Sequence, residues 1–148
     1  MFDTVLGLPV HALVVHGVVV LLPLMALVTI VVALVPRLRF LAWPVVAADA
    51  GIVAMTFVAR ESGEALQERL GGSQVAAEHA ALGRNVIWFA LGLLVASVIV
   101  ATARGSRRIL PAGVVTVVAG ALVVIWTVRT GHSGSEAVWA EIVSNTNK

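Results

Sequence analysis

GVVVLLPLMALVTIVVALV, residues 17–35, is a run of nineteen residues without a charge. At about 1.5 Å of rise per residue, a helix of this length is close to the roughly 30 Å hydrocarbon core of a bilayer. Three further runs are similarly apolar, with Asp49 the one ionisable residue among them: LAWPVVAADAGIVAMTFVA at 41–59, VIWFALGLLVASVIVATA at 86–103 and LPAGVVTVVAGALVVIWTV at 110–128. In lipid a backbone must satisfy its own hydrogen bonds, so long apolar runs become helices. The four runs define an all-α integral membrane four-helix bundle. Its expected spans are about 9–35, 41–59, 80–103 and 110–130, in a single domain covering residues 1–148.

Composition agrees. Of 148 residues, 59% are hydrophobic and 12% charged, and the mean hydropathy is +1.01, which leaves lipid as the main solvent. Cysteine is absent, which excludes disulfides, thiolate metal sites and cysteine-ligated iron–sulfur clusters. The net charge of +2 gives no basis for a nucleic-acid partner. The N-terminal MFDTVLGLPVH lacks the basic stretch of a cleaved signal, so the first run is expected to stay as a span.

The breaks between runs are of two kinds. PRLRF (36–40) and RGSRR (104–108) are short and basic, with no acid. The 60–79 segment is longer and mixed in charge. There Ser62 is expected to cap a short amphipathic helix, Gly71–Gly72 to end it, and Ser73 to cap the next helix. By the positive-inside rule the short links face the cytoplasm, so both termini and the long link face outward. Trp43 then falls near the inner interface, and Trp88 and Trp126 near the outer one. No repeat is evident along the chain.

This orientation gathers all four histidines on the outer side. His16 abuts the first apolar run, whereas His11, His79 and His132 stand above the bilayer edge at similar heights. A five-residue spacing turns His11 and His16 about 140° apart on a helix, so both face the bundle only if the helix start is irregular. Imidazole is costly in lipid and is the commonest metal ligand. Three readings follow. The histidines are interfacial groups bonded to carbonyls and headgroups; or two of them from different helices hold haem b; or two or three of them, with Glu64 or Glu78, hold Zn or Cu.

Arg84 and Arg129 flank the same interface, either snorkelling and paired with acids or clamping an anion such as a haem propionate. Asp49 lies mid-span in the second run. It is either a neutral, hydrogen-bonded acid packed among small residues or a proton-relay group.

The stretches LGLPVHALVVHGVV, ESGEALQERL, AAEHAALG and TGHSGSEAVW, taken together, resemble the bacterial membrane family catalogued as domain of unknown function family 2231. The resemblance extends from about Leu6 to Trp139. It implies a four-helix bundle in the bacterial cytoplasmic membrane, and a link to Rieske-type redox domains that points to electron transfer. HGVV at 16–19 departs from the family pattern, which has a proline soon after the second histidine.

The expected function is therefore binding of haem b or a transition metal at the outward histidines His11, His16, His79 and His132, in electron transfer. Glu64 and Glu78 are the accompanying carboxylates, and no enzyme activity is assigned. The lipid bilayer is the first partner, with a Rieske-type or other redox protein, or a second copy of the chain in a homo-oligomer, compatible with it. The alternative is a non-redox membrane subunit or small transporter, with structural histidines and Asp49 on a proton path.

Overall fold

The computed structural model describes residues 4–5, 7–70, 74–106 and 109–146. Four helices dominate it: α1 (Val10–Leu34), α2 (Ala42–Leu70), α3 (Gln74–Ala103) and α4 (Ile109–Thr146). A small antiparallel hairpin of β1 (Thr4–Val5) and β2 (Leu8–Pro9) precedes α1, and Gly7 turns it with a φ of 81°, a conformation that favours glycine. All four helices are long and apolar enough to cross a membrane. Pro23 lies inside α1, where it denies the carbonyl of Val19 its helical donor.

The helices pack in a closed ring, each against its sequence neighbours and α4 back against α1. α1 and α3 are thus diagonal across the bundle. A core of Val18, Leu22 and Ala26 meets Ile52 and Ala59, Val86, Ala90 and Leu93, and Val123, so every helix contributes. Large apolar side chains also cover the outside, among them Val20, Leu24, Leu27, Ile125 and Val128. Such a surface belongs in lipid.

The short link 36–40 forms part of a 3-10 turn, Pro36–Leu41. Pro36, Arg39 and Phe40 border one surface hollow together with Arg104 of the other short link, so both links share one end of the bundle. The start of α1 meets the late part of α2, and the start of α3 meets the late part of α4, at the opposite end.

Two boundaries differ from expectation. The segment from Arg60 to Leu70 is helical, but it continues α2 and does not begin a new helix. Ser62 is no cap; its hydroxyl donates to the carbonyls of Val58 at 2.7 Å and Ala59 at 3.1 Å inside the continuous helix. Between Ala59 and Leu70 only Ser62 and Gly63 disfavour a helix, and the surrounding Glu, Ala, Leu, Gln and Arg outweigh them. Likewise α4 runs through the polar tail to Thr146. The expected stop at Gly71–Gly72 and the Ser73 cap lie outside the described residues.

The structure also reveals a repeat that the sequence hides. His11, Val18, Leu22 and Thr29 recur as His79, Val86, Ala90 and Ser97, a constant shift of 68 residues. Ile52, Thr56, Ala59 and Gly63 recur as Val123, Thr127, Thr130 and Gly134, a shift of 71 residues. The hairpin α1–α2 therefore repeats as α3–α4 in its inward-facing positions, and lipid-facing residues, free to drift among apolar types, conceal the match.

Candidate functional site

At the end opposite the short links, two of the four histidines meet. The rings of His11 and His79 lie 6.4 Å apart, centre to centre, at an interplanar angle of 74°. They come from the diagonal helices α1 and α3, so the pair spans the bundle interior.

Each ring is mounted in the same way. His11 Nδ1 lies 2.9 Å from the carbonyl of Ala59 on α2. His79 Nδ1 lies 3.1 Å from the carbonyl of Thr130 on α4. A carbonyl only accepts, so in both rings Nδ1 carries the proton and donates it. The Nε2 lone pair is then left as the ligating one. A serine sits on each acceptor: Ser62 donates to Ala59 O, and Ser133 donates to Thr130 O at 2.9 Å. The Ser133 hydroxyl is also 3.2 Å from His79 Nδ1.

A glycine follows each serine, and each makes room for a ring. A Cβ at Gly63 would stand 2.8 Å from His11 Cε1, and one at Gly134 would stand 2.9 Å from His79 Cε1. The mount is thus an imidazole on one helix set against a carbonyl, a serine and a glycine at i, i+3 and i+4 of the next. The sequence carries its signal, the dipeptide Ser-Gly at 62–63 and 133–134. In the sequence alone these stretches stand out only as family motifs, and nothing there assigns a role to Gly63, Gly134 or Ser133.

The other expected site residues lie elsewhere. α1 is regular from Val10, so His11 turns inward and His16 outward; His16 is exposed, with Nδ1 against the carbonyl of Ala12. His132 is exposed on α4, with Nε2 3.4 Å from Glu136 Oε1. Glu64 pairs with Arg60 at 3.2 Å, and Glu78 is exposed. Among the described residues, no three of His, Asp and Glu stand close enough to share a metal ion. The expected larger set therefore reduces to one pair of imidazoles. Arg129 lies over Trp126, 5.5 Å from the ring centre, and Arg84 is exposed. Trp126 is packed inside this end rather than lying free at the interface, stacked on Phe89 and donating to Leu82 O at 3.0 Å.

With this geometry in view, the family model described as "Predicted membrane protein (DUF2231)" matches residues 7–147. The chain belongs to that family of multi-pass membrane proteins. No curated protein and no solved structure matches it.

Proposed function

We propose that His11 and His79 hold a transition-metal centre between them, the iron of haem b or a bare copper or zinc ion, in service of electron transfer at the outer face of a bacterial cytoplasmic membrane. One observation carries the reading: two imidazoles from different helices, each with Nδ1 fixed on a backbone carbonyl, which leaves Nε2 as the nitrogen that could bind a metal. Metal-binding histidines are oriented by such outer hydrogen bonds.

The spacing supports it. With a metal–nitrogen bond of about 2.0–2.1 Å and a ring nitrogen about 1.2 Å from its ring centre, one metal would hold two ring centres about 5.2–6.6 Å apart. The observed 6.4 Å falls within that range. His11 and His79 would hold the iron of haem b or a copper ion, both of which take imidazole ligands. A tetrahedral zinc site would need two further ligands. Haem iron or copper would supply a one-electron redox couple. The residues of the chain orient the imidazoles, fix their tautomer and exclude bulk from the ring faces through Gly63 and Gly134. A Rieske-type redox protein is the partner class that this reading favours.

Purified protein supplied with haem should show a Soret band, and elemental analysis after copper or zinc loading distinguishes the bare-ion forms. His11→Ala and His79→Ala should each abolish the bound species, whereas His16→Ala and His132→Ala should retain it. Absence of a Soret band together with absence of stoichiometric copper or zinc overturns the proposal.

A further inference from the structure

Asp49 is buried to 1% exposure in the inward seam of α2, at a position where the repeated hairpin has Gly120. Its neighbours are the two hydroxyls that the repeat makes equivalent. Thr29 Oγ1 from α1 lies 3.2 Å from Asp49 Oδ2, and Ser97 from α3 faces the same carboxyl. Both hydroxyls are themselves buried to 1% exposure.

A hydroxyl has a single proton to donate. Thr29 shares its proton between Met25 O at 2.7 Å and Asp49 Oδ2 at 3.2 Å, and Ser97 donates to Leu94 O at 2.8 Å. Both hydroxyls thus spend their shorter hydrogen bond on backbone. An ionised carboxylate would receive only the longer, shared bonds and no opposite charge, whereas the acid form places a neutral group in the seam. A protonated carboxyl can donate its O–H to one of the two hydroxyl oxygens. Asp49 Oδ1 has no hydrogen-bond partner, and no charged side chain among the described residues acts on the group. An uncompensated carboxylate at this depth is strongly disfavoured. A hard metal cation is no better served, because such ions take about six or more oxygen ligands, against one carboxyl and two hydroxyls here.

From this geometry we infer that Asp49 is a proton-binding site of the membrane interior: its carboxyl is neutral at rest, and its proton exchanges with the aqueous phase. A polar seam gives the exchange a direction. Thr56 and Ser62 follow Asp49 along α2, and Thr127 Oγ1 is buried without a partner in the equivalent seam of α4. Together they lead from Asp49 toward the histidine end. The inference does not depend on any metal at His11 and His79.

The chain has only two aspartates, Asp3 and Asp49, so one conservative change isolates the group. Protein carrying Asp3→Asn and aspartate labelled with carbon-13 at the side-chain carboxyl would be reconstituted in lipid nanodiscs for infrared spectroscopy. At neutral pH a single isotope-shifted carboxylic-acid C=O band is expected, and it should move to lower frequency in heavy water. Because the site itself stays native, the test does not depend on how an Asp49 variant folds. A carboxylate band at neutral pH overturns the inference. So does an acid band that stays unmoved after prolonged exposure to heavy water.

Discussion

At the scale of single residues, the candidate site depends on two side chains that are absent. Gly63 and Gly134 let the imidazoles of His11 and His79 lie against α2 and α4 and reach the carbonyls beyond. Gly63→Ala and Gly134→Ala should each place a methyl within about 3 Å of a ring atom and push it off its acceptor. Overpacking of this kind costs about 1–3 kcal/mol, read as a lower Tm in detergent. The metal signature should weaken in the same variants, whereas Gly105→Ala, with open space around its Cβ, should change neither. Equal retention of the bound species in both mount variants would show that the rings do not need their carbonyls. The shared side of the four histidines was legible from the helix count alone. Which two meet was not, because a rotation of about 140° between His11 and His16 selects a face only once the first helical residue is known. A regular start at Val10 decides it.

At the scale of helices, the apolar runs were legible because lipid leaves the backbone few choices. The polar extensions were not. Composition separates residues 60–70 and 130–146 from the spans, yet a helix has no reason to stop where it leaves lipid unless a breaker stands there. These extensions build the site: Gly63, Ser133 and Gly134 lie on the parts of α2 and α4 that read as link and tail. Packing between helices has its own signature in Gly120, where a Cβ would stand 2.6 Å from Ile30 Cδ1 of α1. Small residues let membrane helices approach closely, and van der Waals contact then holds them. Gly120→Val should therefore separate α4 from α1 and lower the Tm, and Ile30→Ala on the same background should recover part of the loss. A coupling of about 0.5–3 kcal/mol between the two changes is the expected size for residues in contact. Strict additivity in a double-mutant cycle would mean that the two helices do not meet there.

At the scale of the whole molecule, two like hairpins form a ring, which puts His11 and His79 on diagonal helices and Thr29 and Ser97 on either side of one carboxyl. The repeat gives each hairpin an imidazole, and Asp49 opposite Gly120 is where it breaks. A metal centre at one end and a proton site in the interior would lie along one bundle axis. Which compartment each faces depends on orientation, for which arginine placement is the physical guide. Arg37, Arg39 and Arg104 stand at the short-link end with no acid in either link, whereas at the histidine end Arg60, Arg69, Arg84 and Arg129 are offset by Glu61, Glu64, Glu68, Glu78 and Glu136. Cationic side chains resist translocation, so the short links should be cytoplasmic. The absence of cysteine makes this directly testable. Ser135→Cys, at an exposed position near the histidine end, should react with a membrane-impermeant maleimide added to intact cells. Gly105→Cys, exposed at the opposite end, should react only after the membrane is opened. The reverse pattern would turn the molecule over and put the histidine pair within reach of cytoplasmic redox partners. Labelling of both sites in intact cells would mean that the chain inserts in both directions.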